Sequence, residues 1–243
     1  MLLFFFVPIK NSFFRLCLQK GKGTKMRFID EVIDRSMQLW EDSANERFLN
    51  ELADGSMKKE KFFDYMIQDS IYLRDYLKTF AYAITKSETL ADMQLFYSML
   101  GYVNDGENVT RLNYLKDAGI TDSEVDKTEK RPQCKAYTEF LINESKRGEI
   151  EDIIMAMLPC MLGYSYVFEA LKKRAPQVMQ SYYAPLVGDY TTEEYRQCCE
   201  FWKDITEQRC KDLPEERKKE LSDIFYRASE HELFFWQMAG EDR

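Results

Sequence analysis

The sequence predicts an all-α protein built as one multi-helix bundle domain. From Met26 onward, apolar residues recur at the three- and four-residue spacing of helices. No stretch of the sequence alternates apolar and polar residues as a half-buried strand would. The chain has only ten Gly and six Pro in 243 residues, which disfavours a fold of many short strands and turns. Short connections between the helical stretches favour antiparallel neighbours in one compact domain.

Residues 1–25 differ from the rest and are predicted to lie outside this domain. Their apolar run, MLLFFFV, covers about seven residues, whereas roughly 20 are needed to span a bilayer. Their positive charges follow the apolar run, while a signal peptide carries them before it. QKGKGTK then has the composition of a linker. We therefore expect an N-terminal extension at 1–25 and a helical domain at 26–243, with a weakly membrane-associated tail as the alternative.

Within the domain, each predicted helix follows the previous one closely. The apolar periodicity places helices at 27–40, 44–54, 58–86, 88–103, 105–118, 121–128, 132–147, 149–174, 176–184, 191–211 and 214–240. Asp122 or Ser123 is a suitable N-cap before EVDK, and Thr191 and Thr192 precede EEYRQ. Pro214 is suited to the start of the last helix.

The composition limits the classes of function. The net charge is −8 and the Lys and Arg residues are scattered, so we expect no nucleic-acid partner. Six cysteines without a C-x-x-C pair or metal-ligand spacing indicate reduced thiols in a cytoplasmic protein. The sequence has a single histidine, His231. Metal-dependent oxidases usually need several histidine ligands, and Ser or Cys hydrolases need a histidine base beside the nucleophile, so both kinds of site are disfavoured. Any chemistry is therefore expected from carboxylates, tyrosines or thiols.

A carboxylate lies on the apolar side of the helix predicted at 58–86. At about 100° of rotation per residue, Asp69 is aligned with four core positions, Phe62, Leu73, Tyr76 and Phe80. Tyr65 and Tyr72 flank it. An unpaired buried charge is costly, so Asp69 either forms an internal hydrogen bond to a tyrosine or binds a ligand. Another side of this helix is polar and is expected to face solvent: Asp64, Gln68, Asp75 and Lys78.

A second carboxylate lies within the apolar stripe of the C-terminal helix. That stripe consists of Leu221, Phe225, Ala228, Phe235, Trp236 and Ala239. Glu232 lies in its middle, and burial there would raise the glutamate pKa into the range useful for proton exchange near neutral pH. A structural glutamate paired with a buried Tyr or Arg is the alternative. His231 lies at the edge of the stripe and is interpreted as structural.

The helix predicted at 149–174 contains the unusual segment MLPCMLGYSYVF. Cys160 and Tyr164 lie opposite its polar positions. Pro159 has no N–H to donate and should bend the helix, and Gly163 should let another backbone approach. A bend that aims the Cys160 sulfur into a cavity is the functional interpretation, whereas an inert buried thiol is the structural one. Three such polar or reactive positions on three helices favour a shared site.

Five segments resemble the TenA/thiaminase II family, whose members have a heme-oxygenase-like all-α fold. The segments are QDSIYL (68–73), AYTEF (136–140), LPCMLGYSYV (158–167), GDY (188–190) and EHELFFWQM (230–238). They occur in the order of the family and cover nearly the whole chain from Met26. The most specific are LPC followed four residues later by Tyr, and the C-terminal E-x-x-F-W.

The resemblance implies hydrolysis of a thiamin-related aminopyrimidine in thiamin salvage. The implied reaction converts 4-amino-5-aminomethyl-2-methylpyrimidine to its hydroxymethyl product and ammonia, and the alternative substrate is thiamin, which would give hydroxymethylpyrimidine and thiazole. Cys160 matches the nucleophile, Glu232 the acid/base, and Asp69 the carboxylate that binds the ring nitrogen and exocyclic amine. The matching pocket residues are Tyr72, Tyr137, Tyr164, Tyr190, Phe48 and Phe235. The family implies a homotetramer. We expect no metal, no cofactor and no membrane partner.

Two segments depart from the family pattern, and two other functions remain open. NERF stands where the family commonly has His-Pro before the wall phenylalanine, Phe48, and TTEE replaces a glycine-rich turn after Tyr190. Both departures leave the substrate preference less determined than the reaction type. One open alternative is a non-catalytic pyrimidine-binding or regulatory protein on the same fold. The other is oxidative chemistry with haem or a metal pair, for which the single histidine, His231, provides too few ligands.

Overall fold

The computed structural model describes residues 26–102 and 108–242. It contains eleven α-helices within these residues: α1 (Phe28–Ala44), α2 (Arg47–Asp54), α3 (Lys59–Lys86), α4 (Leu90–Tyr102), α5 (Asn108–Asp117), α6 (Asp122–Lys127), α7 (Pro132–Arg147), α8 (Ile150–Arg174), α9 (Ala184–Asp189), α10 (Glu193–Cys210) and α11 (Glu215–Gly240), with a short 3₁₀ helix at Pro176–Gln180. No strand occurs in this part of the chain, which confirms the all-α prediction. The proposed extension at 1–25 lies outside the described residues, as does the start of the helix predicted at 105–118.

The helix boundaries agree with the prediction to within a few residues, except at 176–184. There the chain forms the 3₁₀ helix, which ends at Gln180. The following residue, Ser181, is extended, and α9 begins only at Ala184. Pro185 explains the break, because it has no N–H to continue a helix but is suited to the first turn of a new one. The cap of α6 also differs: it is Thr121, whose hydroxyl accepts from the Glu124 N–H at 3.3 Å, and not Asp122 or Ser123.

Helix α8 lies at the centre of the bundle. It contacts α1, α2, α3, α7, α10 and α11, and its residues 152–159 are all buried. It is long and apolar enough to cross a membrane by composition, yet most of that apolar stretch is buried inside the protein. Its apolarity is therefore that of a core helix. Because α3, α7 and α11 pack directly on it, side chains from four helices can meet beside Cys160.

Gly163 does not provide the backbone approach expected of it. A methyl group at this position would meet the indole ring of Trp40 at 3.8 Å, and its contacts within 4 Å are to that side chain. The close backbone approach lies instead at the end of α11. A Cβ on Gly240 would be 3.2 Å from the Phe48 backbone nitrogen. The absence of a side chain at Gly240 therefore lets α11 pack against the start of α2.

The polar side of α3 is largely covered, contrary to the expectation that it faces solvent. Gln68 is fully buried and Asp75 is 5% exposed. The residues before α7 cover them: the Gln68 amide donates to the Glu129 carbonyl at 3.0 Å and accepts from the Arg131 N–H at 2.9 Å. Lys130 forms an ion pair with Asp75. The helical period identifies a polar face, but it does not distinguish solvent from a hydrogen-bonded contact with another segment.

Candidate active site

Both carboxylates that the sequence placed on apolar helix faces are buried. Asp69 on α3 is 6% exposed and Glu232 on α11 is 3% exposed. Their neighbours in the two apolar stripes are buried as well, including Phe62 and Phe80 on α3 and Phe225 on α11. Each carboxyl group is therefore held inside the bundle by the packing of its own helix.

Glu232 is surrounded by donors from two other helices. The Tyr137 hydroxyl on α7 donates to the Glu232 Oε1 at 2.6 Å, and the Cys160 side chain on α8 also forms a hydrogen bond with this carboxyl. Burial raises the pKa of Glu232 to about 8, and the charge of Asp69 acts in the same direction. The two hydrogen bonds lower the pKa but do not cancel the effect of burial. At neutral pH Glu232 is thus mostly a carboxylic acid that can exchange its proton.

Asp69 has a cation in its surroundings. Burial raises the pKa of Asp69 to about 6, while the positive charge of Arg111 opposes the rise. Arg111 lies on α5, and its Nη1 donates to the hydroxyl of Ser70, the residue next to Asp69. Arg111 was not among the predicted site residues. Its helix is short and mostly exposed, so no apolar stripe in the sequence marked it.

The thiol and the two carboxyl groups lie in one region of the molecule. The Asp69 charge acts on Glu232, and Cys160 contacts Glu232 and acts electrostatically on Tyr72 and Tyr137. Cys160 is half-buried, and none of the described cysteines forms a disulfide. Helices α8 and α11 therefore bring Cys160 into contact with Glu232, and α3 places Asp69, 163 positions before Glu232 in the sequence, within electrostatic range of it.

Tyr72 contributes a hydroxyl with an unmet hydrogen-bonding capacity. Its ring lies 4.9 Å from that of Tyr137 and 5.6 Å from that of Phe235, centroid to centroid. The hydroxyl is buried, and although it lies near enough to Tyr137 to lower the pKa of that phenol, it forms no hydrogen bond of normal distance and angle with the described residues. A buried unsatisfied polar group costs about 1–3 kcal/mol, so such groups call for an explanation. A polar atom of a bound ligand would satisfy this one.

Aromatic rings form a continuous wall beside these groups. Phe48 lies 4.6 Å from Tyr65 and 5.8 Å from Trp236, and Tyr164 lies 4.9 Å from Trp236 and 5.0 Å from Tyr190. The Tyr65 and Tyr164 hydroxyls are hydrogen-bonded at 3.2 Å. Tyr65 and Trp236 thus join the predicted wall residues, although neither was predicted as a site residue. The signal in the sequence that could have identified them is their spacing, because Tyr65 precedes Asp69 by four residues and Trp236 follows Glu232 by four, which places each pair on one helix face.

The two departures from the family pattern have structural roles. In NERF, Glu46 accepts a hydrogen bond from the Gln237 amide and Arg47 pairs with Asp242, so both tie α2 to the end of α11. After Tyr190, the Thr191 hydroxyl bonds to the Val187 carbonyl at 3.0 Å and the Thr192 hydroxyl caps α10. No glycine is required there, because positive φ among the described residues occurs only at Gly55 and Gly119.

A sequence model of the TENA/THI-4/PQQC family matches residues 33–242. An aminopyrimidine aminohydrolase of Halalkalibacterium halodurans is 29% identical over 218 residues, which are 90% of this chain and 97% of the relative. An aminopyrimidine aminohydrolase of Helicobacter pylori is 23% identical over 214 residues, covering 88% and 99%.

Solved structures show the same fold. A TenA homologue from P. horikoshii aligns with a TM-score of 0.77 at 26% identity, over 88% of this chain and 98% of that one. A Shewanella denitrificans domain with a heme oxygenase-like fold aligns with a TM-score of 0.66 at 14% identity, over 87% and 90%. The heme-oxygenase-like fold expected from the resemblance is confirmed. With the family model spanning all but the first 32 residues and the last one, the chain belongs to the TENA/THI-4/PQQC family.

Proposed function

We propose that this protein hydrolyses aminopyrimidines related to thiamin, with Cys160 as nucleophile and Glu232 as acid and base. The observation that carries the proposal is the arrangement at Glu232, where one buried carboxyl bonds to both the Cys160 thiol and the Tyr137 hydroxyl. Asp69 lies close enough for its charge to act on the same group. The aminopyrimidine aminohydrolases among the relatives support the same chemistry.

Asp69 and Tyr72 are proposed to bind the pyrimidine ring. Asp69, with a pKa of about 6, is mostly ionised at neutral pH and accepts hydrogen bonds from the exocyclic amine and a protonated ring nitrogen. The Tyr72 hydroxyl, which has no partner among the described residues, supplies a further hydrogen bond. The ring packs between Phe48 and Phe235, with Tyr164 and Tyr190 along the same wall. A protonated ring nitrogen makes the pyrimidine more electrophilic, which prepares it for a thiolate.

The first half of the reaction transfers the thiol proton to the departing amine. The ionised form of Glu232 takes the proton from Cys160, and the thiolate forms a bond to a ring carbon of the pyrimidine. This addition makes the ring electron-rich, so it expels the group on the 5-methylene carbon. Glu232 gives its proton to that group, which leaves as ammonia from the aminomethyl substrate, and an exocyclic methylene remains.

The second half adds water and regenerates the thiol. Glu232, now ionised, takes a proton from water as the oxygen bonds to the exocyclic methylene carbon. The carbon–sulfur bond then breaks, the ring regains aromaticity, and the proton on Glu232 returns to the sulfur. Every proton passes through Glu232, which requires a carboxyl whose pKa is near the working pH. A pKa of about 8 meets that requirement.

Ammonia release from 4-amino-5-aminomethyl-2-methylpyrimidine tests the proposal. We expect the Cys160→Ala variant to lose at least 100-fold in kcat, a drop on the order expected for a missing nucleophile. Cys198→Ala is the matched control, since Cys198 is another half-buried thiol but lies on α10; it should retain full activity. Full activity of the Cys160→Ala variant would refute the nucleophile, and tight pyrimidine binding without turnover by the unaltered protein would favour a binding or regulatory role.

The pathway, location and assembly of the protein are proposed together with the reaction. Thiamin salvage is the proposed role, and the same assay with thiamin, scored by thiazole release, compares the two substrates. We also propose a cytoplasmic homotetramer. Exposed apolar side chains on α4, Leu90 and Tyr97 at 70% and 71% exposure, are consistent with an assembly surface. Sedimentation velocity distinguishes a tetramer from the 28.9 kDa monomer.

A further inference from the structure

The imidazole of His231 is packed against the phenol that holds Glu232. Its ring is stacked on Tyr137 with centroids 5.2 Å apart and an interplanar angle of 9°. Phe140, one turn further along α7, contacts His231 at 4.9 Å. Tyr137 in turn donates to Glu232 at 2.6 Å. His231 precedes Glu232 on α11, so one helix contributes the carboxyl and also the ring that packs on its donor.

His231 is suited to influence its neighbours through the packing of its ring and not through a charge. Burial and the nearby Arg227 lower the pKa of His231 to about 4, so the imidazole is neutral wherever the proposed reaction works. Arg227 lies over the other aromatic neighbour, Phe140, at 4.8 Å. A flat, neutral ring between α7 and α11 limits the rotation of the Tyr137 phenol about its own axis and its tilt.

We propose that His231 is a positioning residue, whose stacked ring keeps the Tyr137 hydroxyl on Glu232. The Tyr137 hydrogen bond is one of two that stabilise the ionised form of this carboxyl. Loss of the stacked ring lets the phenol turn away, which removes a donor from Glu232 and makes the carboxyl harder to ionise. The inference deepens the proposed function, in which Glu232 moves every proton, but its effect on the carboxyl is a property of the protein without substrate.

The other groups that face Glu232 must be accounted for in any titration. They are Asp69, Tyr65 and Tyr72 from α3, Tyr137 from α7, and Cys160 and Tyr164 from α8. Among them Asp69 carries a charge at neutral pH and raises the Glu232 pKa. Among these groups, the one that His231 stacks against is Tyr137. A change at His231 should therefore reach Glu232 through that phenol.

The test is a titration of the Glu232 carboxyl carbon by NMR, in protein labelled with ¹³C-glutamate and without ligand. The Glu232→Gln variant assigns the signal. In the His231→Leu variant, which fills space without a flat ring, we expect the Glu232 pKa to rise by about 0.5 to 1 pH unit, the equivalent of one hydrogen bond. In the His231→Phe variant, which keeps a flat ring, the pKa should remain at its original value. His231→Asn replaces the Leu variant if that one does not fold.

A double variant separates positioning from a general loosening of the core. In a Tyr137→Phe background there is no hydroxyl to position, so adding His231→Leu should move the Glu232 pKa no further. Phe234→Ala is the control, because Phe234 is an exposed neighbour of His231 on α11; it should leave the titration unchanged. An unmoved Glu232 pKa in His231→Leu, or an equal additional rise in the Tyr137→Phe background, would overturn the inference.

The activity assay keeps the two proposals distinct. If the protein releases no ammonia from the aminopyrimidine, the proposed function fails, and the ligand-free titration still tests the role of His231. If the protein is active, kcat/KM should rise with pH as Glu232 ionises, because the ionised carboxyl takes the Cys160 proton. This lower limb should move with the NMR pKa in His231→Leu and not in His231→Phe. An active enzyme whose lower limb is the same in both variants would leave the function standing and remove the positioning role.

Discussion

Asp69 and Glu232 show how surroundings separate the pKa values of two buried carboxyl groups. Burial raises both, yet Asp69 reaches about 6 and Glu232 about 8. The cation of Arg111 acts on Asp69, whereas the hydrogen-bond donors at Glu232, Tyr137 and Cys160, are uncharged in their usual forms. Between these values one group is a carboxylate and the other an acid. Such a separation gives two chemically similar groups different roles in one reaction.

Replacing Arg111 tests whether its positive charge keeps the Asp69 pKa below that of Glu232. In Arg111→Gln the cation is lost while most of the side-chain length remains, so the Asp69 pKa should rise above 6. On the acid side of the kcat/KM pH profile, the break that Asp69 sets near pH 6 is then expected to shift to higher pH, with the break that Glu232 sets near pH 8 little changed. Arg74→Gln is the control, since Arg74 on α3 is exposed and pairs with Asp126 at 3.3 Å. An Asp69 break that stays in place in Arg111→Gln would contradict this assignment.

Tyr72 and Tyr137 should respond in opposite ways to the loss of a hydroxyl. The Tyr72 hydroxyl has no partner among the described residues, so Tyr72→Phe should leave the free energy of unfolding unchanged or raised, while weakening hydroxymethylpyrimidine binding by about tenfold. Tyr137→Phe removes a donor from a buried carboxyl and should lower the free energy of unfolding by about 1–3 kcal/mol. Urea unfolding and calorimetric titration measure both quantities. Equal destabilisation by the two changes would be inconsistent with an unpaired Tyr72 hydroxyl.

The residues that sequence reasoning found are those whose polarity conflicts with their helical position. Asp69 and Glu232 were identifiable because an apolar stripe surrounds each of them. Tyr137 and Tyr190 came from the family resemblance, since a tyrosine on a helix is as often core as site. Arg111 could not be found by either route. Its interaction with Asp69 depends on how α5 packs against α3, and this packing leaves no periodic trace in a short, polar helix.

At the scale of elements, helix position was predictable and helix environment was not. The apolar period located nearly every helix because burial of one face is what stabilises it. The polar face of α3 was misinterpreted because residues 129–131 pair with it through the Gln68 amide and the Asp75 carboxylate. Those contacts depend on the path of the connection into α7. A helical wheel of α3 alone shows which residues share a face, but not which other segment covers that face.

Gly148 and Gly163 should respond oppositely to alanine. Gly148 joins α7 to α8, and a Cβ there would lie 2.5 Å from the Cβ of Asp152, whose carboxylate accepts from the Glu149 N–H and pairs with Arg217. Gly148→Ala should therefore lower the free energy of unfolding by about 1–3 kcal/mol.

Gly163 provides the matched control for this change. It lies inside α8 with ordinary contacts to Trp40 at 3.8 Å, so Gly163→Ala should raise the free energy of unfolding by about 0.5–1 kcal/mol through the gain in helix propensity. Urea unfolding of the two variants measures both effects. The account of the α7–α8 junction fails if Gly148→Ala is as stable as the unaltered protein.

At the scale of the whole molecule, the helix that carries Glu232 is fixed at its end by two cations. The Lys61 amine donates to the Gly240 carbonyl at 3.1 Å and pairs with Glu51 at 2.8 Å. Arg131 donates to the Met238 carbonyl at 2.9 Å. Cations near the last carbonyls of a helix are favourable for its dipole. These contacts tie α11 to α2, α3 and α7, so the position of Glu232 depends on the assembled bundle.

The raised Glu232 pKa makes the stability of the whole protein depend on pH. Its folded value of about 8 exceeds the ordinary 4.5, so the folded state binds the extra proton between these values and stability falls as pH rises. From pH 6.5 to 8 the other shifted site groups contribute only about 0.2–0.4 kcal/mol each. The Asp69 carboxyl, at about 6, is already mostly ionised in the folded protein. The His231 imidazole, shifted from 6.5 to about 4, is neutral in the folded protein, and loss of its proton from the unfolded chain raises stability slightly. The free energy of unfolding should therefore decrease by about 1.5 kcal/mol over this range, because the slope is about 1.4 kcal/mol per pH unit well below the Glu232 pKa and half of that at the pKa.

Glu232→Gln removes the titrating group and keeps an acceptor for the Tyr137 hydroxyl, so its free energy of unfolding should stay nearly constant from pH 6.5 to 8. Urea unfolding at four pH values across that range provides the comparison. Glu230→Gln, on the same helix but on its opposite side, should retain the full decrease. Because the effect comes from a carboxyl that burial makes reluctant to ionise, a ligand that binds its ionised form would lessen the decrease. Parallel pH dependence in the Glu232→Gln and unaltered proteins would show that Glu232 ionises in the folded state as readily as in the unfolded chain, and the proton transfers assigned to it would then lack their physical basis.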